Sequence, residues 1–180
     1  HHELFELPSG NFMTLATELV DFNEFPTSEL DSAAPWKPAH VVCDRIVEFQ
    51  PDNGQIVNEL DVLDVLDPKR FGYMALSGFW KDKYNARLDS PSRDWSHANA
   101  LQYIASENAV LVSLRHLDCV IKLDWETKRI HWIFGDPDGW GAAWQDYLLK
   151  PVGDVQWPYH QHSPQLTPRG TLLMFDNGNY

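Results

Sequence analysis

The chain has 180 residues, 43% hydrophobic and 22% charged, with 8 Trp, 6 Tyr and 9 Phe, a composition that suits a packed domain and argues against disordered or collagen-like chains. Its 14 basic residues stand against 26 acidic ones, a net charge of -12, which excludes nonspecific attraction to nucleic acid or anionic lipid, so an anionic ligand must be held by local groups. The 2 cysteines, Cys43 and Cys119, build no disulfide framework, and no apolar run reaches the roughly 20 residues of a membrane-spanning helix, which reads against a membrane partner.

The chain opens on His1-His2-Glu3 without a Met and closes on Phe175-Asp176-Asn177-Gly178-Asn179-Tyr180, inside a strand and its following turn. That is the pattern of a segment of something longer. Helical periodicity is scarce. Short runs rich in β-branched and aromatic residues recur between turn signals, which predicts an all-β protein. The first set of strands falls at 3–7, 11–16, 41–49 and 55–60, with turns at Pro8-Ser9-Gly10 and Pro51-Asp52-Asn53-Gly54. The second falls at 98–104, 109–114, 119–123 and 128–134, with Asp124-Trp125-Glu126-Thr127 as a hairpin turn. A third begins at Ser163 and contains two strands.

These sets repeat. Laid over each other, His162 matches His2, Pro168 matches Pro8 and Gly170 matches Gly10, and the second set fits from His97 with a longer turn. One histidine is therefore expected to open the first strand of each repeat. Repeated four-stranded units are the signature of a β-propeller, whose first strands line the central channel. The spacing between the histidines exceeds the ~40 to 50 residues of a usual blade, and insertions at 20–38, 67–94 and 136–159 take up the excess as loops or short helices at one rim. The expected layout is a blade at 1–66, a blade at 95–135 and a partial blade at 160–180, about two and a half four-stranded blades.

Asp94-Trp95-Ser96-His97-Ala98-Asn99 and His160-Gln161-His162-Ser163-Pro164 are expected at the channel ends of their units, with Ser113-Leu114-Arg115-His116 one hairpin after the first and Ile130-His131-Trp132-Ile133-Phe134-Gly135 as a strand and its turn. With the His-His-Glu opening and Phe175-Asp176-Asn177-Gly178-Asn179, they cover nearly the whole chain, and in them the sequence resembles the arylsulfate sulfotransferases that work without the nucleotide donor PAPS. The resemblance implies a six-bladed propeller enzyme, periplasmic or secreted, that moves a sulfuryl group from an aryl sulfate to a phenol through a transiently sulfated histidine, with no cofactor. It leaves a homodimer of the full-length form open. Carried over motif by motif, the nucleophile falls on His162, supporting groups on His97 and Arg115, and the last histidine on the opening pair, where the repeat favours His2 over His1.

The chemistry fits those residue types. Sulfuryl transfer spreads charge over three peripheral oxygens, as phosphoryl transfer does, so it needs fixed positive donors and in-line placement. Arg115 offers a permanently charged fork. Neutral imidazole at His162 can attack sulfur, and His97 or His2 can give a proton to the leaving phenolate and later take one from the acceptor. Asn99, two residues beyond His97 on the same strand face, is a candidate to orient an imidazole or a sulfate oxygen, and Trp140 and Trp157 are candidates to stack on an aryl ring. Against these stand structural readings: His40, His116 and His131 as packing or surface residues, Arg115 as an ion-pair partner, and Asp94 as a turn residue or strand-end cap. Two rival functions remain, a noncatalytic propeller that binds a ligand or protein and a His-rich metal site, against which a neighbouring arginine counts.

Overall fold

The computed structural model describes residues 3–31, 33–72, 74–84 and 92–178. Its strands form antiparallel meanders. Strands β1 (Leu4–Glu6), β2 (Phe12–Phe25), β3 (Lys37–Phe49) and β4 (Ile56–Asp61) pair in chain order, and the two-residue strand β5 (Arg93–Asp94) joins β3 in parallel, opposite Val41 and Val42. A second sheet takes β6 (Ala98–Ile104), β7 (Ala109–Leu114), β8 (Cys119–Asp124) and β9 (Ile130–Gly135) in order. A third sheet pairs β10 (His162–Leu166) with β11 (Leu172–Phe175). A single helical turn, α1 (Lys81–Tyr84), lies in the connection before β5. The chain is all-β, as its pattern predicts.

The second sheet is the most deeply covered. Every residue of β7 (Ala-Val-Leu-Val-Ser-Leu) is buried, and so is all of β8 except its last. Such unbroken apolar runs mark strands packed on both faces rather than one. Here the first sheet lies to one side, through a shared core that joins Met13, Leu15, Val41 and Ile46 to Val110, Val112 and Ile121, and β10 packs against β6 and β7. Strand β2, by contrast, alternates buried Met13 and Leu15 with half-buried neighbours, the mark of a half-covered strand.

Two hairpins of the second sheet turn in the same way. Ala105–Glu107 and Arg115–Leu117 are each one tight 3-10 turn, closed by a residue in the left-handed region: Asn108 at φ 46° and Asp118 at φ 49°. Asn and Asp are the side chains that tolerate that conformation best after glycine. The second of these turns docks through its own backbone, the Arg115 N–H on the carbonyl of His97 (3.1 Å) and the His116 N–H on that of Ser96 (3.1 Å).

Two expectations need correction. Part of 20–38 is neither loop nor short helix, because residues 20–25 continue β2 and Lys37-Pro38 begin β3, paired in one register from Phe12 opposite Phe49 to Phe22 opposite Ala39 and, after a register shift, at Phe25 opposite Lys37. The polar Asp21, Asn23 and Glu24 are poor strand formers, but they alternate with Val20, Phe22 and Phe25, and cross-strand pairing outweighs propensity. The histidine register also slips: β10 opens on His162, whereas β6 opens one residue after His97. The backbone explains the offset, since left-handed residues fall at His97 (φ 49°) in one segment and at His160 (φ 52°) and Ser163 (φ 49°) in the other.

Candidate functional site

The segment before β6 is pinned on several sides. Trp95 is fully buried, its indole donating to the carbonyl of Arg70 at 2.8 Å, and the Trp95 N–H donates to the carbonyl of Val42. Asp44 of β3 accepts from the Ser96 hydroxyl (2.6 Å) and from the Ala98 N–H (2.7 Å). Burial pushes the Asp44 carboxyl up to about 6, although those two hydrogen bonds oppose the shift. Between these anchors His97 takes its left-handed backbone, the kind of local strain that folds retain where a side chain must be aimed.

His97 is held by Asp94. Its Nδ1 lies 2.5 Å from Asp94 Oδ2, while the other carboxylate oxygen accepts from the Trp80 indole at 3.1 Å. The backbone carbonyl of Asp94 accepts from Nδ1 of His116 at 2.8 Å. The His97 and His116 rings stack at 4.5 Å between centroids and 29° between planes, and Phe79 meets His97 edge-on at 4.8 Å. Burial pulls His116 down to about 4, helped by the neighbouring His97 and Arg115 and opposed by Asp94, so its imidazole is neutral at neutral pH.

His97 and His116 line one pocket of about 520 Å³ with Met74, Ser77, Gly78, Phe79 and Arg115. Arg115 enters at the head of the β7–β8 turn. Its Nη1 lies 3.6 Å from the sulfur of Met74, and among the described residues it makes no ion pair, despite the acidic composition. Burial lowers its pKa, with Asp118 and Asp94 acting the other way. The Ser77 hydroxyl is buried without a partner among the described residues. Gly72 lets this turn come close: a Cβ there would stand 2.5 Å from the carbonyl oxygen of His116.

The segment leading into β10 lies behind the pocket. The fully buried His160 faces His116 at 6.2 Å between ring centroids, and its N–H donates to Asp118 at 2.8 Å. Burial raises the Asp118 carboxyl, and that hydrogen bond works against the rise. His162 points elsewhere than the pocket wall: its Nδ1 is 3.1 Å from the His160 carbonyl and 3.2 Å from Asn177 Nδ2. Between the two histidines Gln161 is wholly buried. Its amide donates to the carbonyls of Cys119 (2.7 Å) and Leu114 (3.3 Å) and to the Ser113 hydroxyl (3.1 Å).

The fold thus unites two of the expected residues, His97 and Arg115, and adds His116, which reads from sequence as packing. Asn99 is a pin, donating from Nδ2 to the Gln161 carbonyl at 2.7 Å. Neither Trp140 nor Trp157 lines this pocket. Trp140 is buried under the Arg70 guanidinium, 4.8 Å from its ring, and Trp157 packs on Phe134 at 5.6 Å. His1 and His2 lie outside the described residues. The repeated hairpin turn was a signal for His116, since it sets residues 115 and 116 together at one strand end. Gln161 carried none.

The sequence pattern of the arylsulfotransferase (ASST) family matches residues 1–180. The chain belongs to the arylsulfotransferase family. Two relatives in that family are the arylsulfate sulfotransferases AssT of Lelliottia amnigena and Escherichia coli O6:H1, each 27% identical, over 78% and 76% of this chain. The chain spans 29% and 28% of their respective lengths. No solved structure gives a significant match. No described helix is long and apolar enough to cross a membrane.

Asp94, His97 and His116 are also the one group of three side chains among the described residues that could hold a metal ion. Their spacing is that of a hydrogen-bonded set. Two ligands at ~2.0 to 2.1 Å from one zinc stand about 3 Å or more apart, whereas Asp94 and His97 are in direct contact at 2.5 Å.

Proposed function

We propose that the intact protein transfers a sulfuryl group from an aryl sulfate ester to a phenol, without PAPS and through a sulfated histidine, in a periplasmic or secreted setting. Family membership supports the reaction class. The observation that carries the reading is an arginine with no acidic partner among the described residues, set beside two stacked imidazoles in one pocket of an acidic protein. Leaving a guanidinium half-buried without a contacting carboxylate is costly even with Asp118 and Asp94 acting on it from farther off, and a sulfate ester supplies the anion in contact. The two meanders and the β10–β11 pair are read as two blades and part of a third in a six-bladed propeller.

In this mechanism Arg115 and the Ser77 hydroxyl bind the peripheral sulfuryl oxygens, whose charge they meet with little reorganisation. Phe79 and Met74 take the place first given to Trp140 and Trp157 and flank the aryl ring. His162 attacks sulfur with its imidazole lone pair, the S–O bond to the aryl oxygen breaks, and His97, entering this half as the imidazolium with its Nδ1–H on Asp94, gives its Nε2 proton to the departing phenolate and becomes the neutral Nδ1–H ring. The second half reverses the roles: the acceptor phenol loses its proton to His97 as its oxygen attacks sulfur, and His162 is released. His2 is the remaining supporting histidine of this reading. With His160 and Gln161 buried and anchored, the His162 side chain itself must turn toward the pocket when the donor is bound.

Turnover of 4-nitrophenyl sulfate with phenol should be ping-pong, and mass spectrometry of donor-treated protein should find the sulfuryl adduct on a peptide containing His162 that disappears in His162→Ala. Arg115→Lys should lose activity by about 10²-fold or more, because the point charge cannot replace the fork. No turnover by the intact protein rejects the reaction, and an adduct at another residue rejects the assignment of His162.

A further inference from the structure

The Asp94 side chain is more than a strand-end cap. It is 1% exposed, and each of its carboxylate oxygens has a different donor, Nδ1 of His97 at 2.5 Å and the Trp80 indole at 3.1 Å. Its backbone carbonyl holds the second imidazole, His116, at 2.8 Å. One residue therefore fixes both rings of the stack. An ionised carboxylate accepts hydrogen bonds only, so the imidazole nitrogen facing it must carry the proton. That leaves Nε2 of His97 as the nitrogen free for chemistry in the pocket.

We propose that Asp94 is a positioning residue that locks His97 in its Nδ1–H tautomer, and that Trp80 holds the Asp94 carboxylate in the orientation this requires. The kinetic consequence rests on the function proposed above; the tautomer does not. Carboxylates that orient a catalytic imidazole in this way act through its tautomer and direction, not by taking up the proton themselves. Trp80 adds a feature of its own. Its indole can only donate, so it always claims an oxygen of residue 94. Because Trp80 and the pocket residue Phe79 are neighbours, in edge-on contact at 5.0 Å, the wall of the pocket and the tautomer of its histidine are set by one stretch of chain.

This gives a test with a built-in reversal. In Asp94→Asn the amide oxygen is claimed by the Trp80 N–H, which turns the amide NH2 toward His97 and forces Nδ1 to accept. The His97 tautomer should switch to Nε2–H, read from the nitrogen shifts of 15N-histidine-labelled intact protein at a pH where imidazole is neutral. Removing the indole donor in Trp80→Phe/Asp94→Asn frees the amide to turn over, and the Nδ1–H tautomer should return. In parallel, kcat for 4-nitrophenyl sulfate should fall about 10² to 10⁴-fold in Asp94→Asn with KM changed less than about threefold, and should recover at least tenfold in the double variant. Trp80→Phe alone should keep the tautomer, with native circular dichroism showing that the fold survives.

An Nε2–H tautomer in the wild-type protein overturns the proposal, as does an unchanged tautomer in Asp94→Asn. So does a tautomer that switches while kcat stays the same. A wild-type protein with the expected tautomer behaviour but no sulfuryl transfer leaves the hold of Asp94 on His97 standing and refutes the reaction instead.

Discussion

Gln161 offers the sharpest measure of how the histidine-bearing segment is held. Replacing it with leucine keeps the volume, so the cavity contribution is small. The lost amide leaves the Cys119 carbonyl without its 2.7 Å donor and the Leu114 carbonyl without a weaker one at 3.3 Å, while the Ser113 hydroxyl loses its 3.1 Å donor but still donates to the Gln161 carbonyl at 3.2 Å. A buried acceptor deprived of its partner costs about 1 to 3 kcal/mol, and the long contact belongs at or below the low end. Against this, Gln161 Oε1 is itself buried without a partner among the described residues, so the substitution also removes one burden of about 1 kcal/mol. The balance is a destabilisation of about 1 to 3 kcal/mol for Gln161→Leu. Gln161→Ala loses the same bonds and adds a cavity, which raises the cost to about 3 to 5 kcal/mol. Urea denaturation of the intact protein, followed by the fluorescence of its tryptophans, measures both. Gln161→Leu as stable as wild type would show that the amide contacts do not clamp β10 to the second sheet, and equal losses for Leu and Ala would show that packing there is unimportant.

Gly72→Ala should destabilise by about 1 to 3 kcal/mol through overpacking, because the new Cβ meets the backbone carbonyl of His116 at 2.5 Å; a melting temperature equal to wild type would mean that the turn yields freely. Asp44 and His116 should pull the pH dependence of stability in opposite directions. Asp44 sits at about 6 when folded and near ~3.9 unfolded, so between these values the folded state holds the extra proton and stability falls as pH rises, by up to about 3 kcal/mol. His116 sits at about 4 when folded and near ~6.5 unfolded, so the unfolded state holds the proton and stability rises across a similar window by a similar amount. Denaturation between pH 4 and pH 7 should therefore show stability rising with pH in Asp44→Asn and falling in His116→Gln, and parallel profiles in the two variants would refute both shifts.

The strands of the second sheet were legible because their signal is local. Val110-Leu111-Val112 and Val120-Ile121 are apolar on both faces, and Asp124 closes its hairpin on itself, accepting from the Thr127 N–H at 2.6 Å. The far half of the β2–β3 hairpin was not legible, since its stability comes from cross-strand partners between Val20 opposite Val41 and Phe25 opposite Lys37, far apart in sequence, rather than from its own propensity. The site divides in the same way. His97 and Arg115 could be found because each lies in a compact motif. Trp140 and Trp157 stood in a plausible rim insertion, and only the fold shows that one covers Arg70 and the other covers Phe134. His116 looked like packing because burial and function are hard to separate for a lone imidazole, and here it is both deeply buried and on the pocket wall.

The buried acids explain how such a pocket survives in a protein of net charge -12. Asp44, Asp94 and Asp118 are all nearly inaccessible, and each is spent on the chain that carries a histidine: Asp44 on the N–H after His97, Asp94 on the His97 ring, Asp118 on the N–H of His160. Asp44 and Asp118 do this from one sheet to the histidine-bearing strand segment of the next, so the same device recurs at successive sheet boundaries. An acid paired with a backbone N–H cannot also neutralise a guanidinium at full strength, and burial raises the Asp44 and Asp118 carboxyls further toward the neutral form. Arg115 therefore lines the pocket with no carboxylate in contact among the described residues, though Asp118 and Asp94 still favour its charge. Acidic residues that would quench a cationic group if they lay on the pocket wall instead hold its scaffold from behind, so a strongly negative chain keeps a guanidinium and two imidazoles together on one pocket wall.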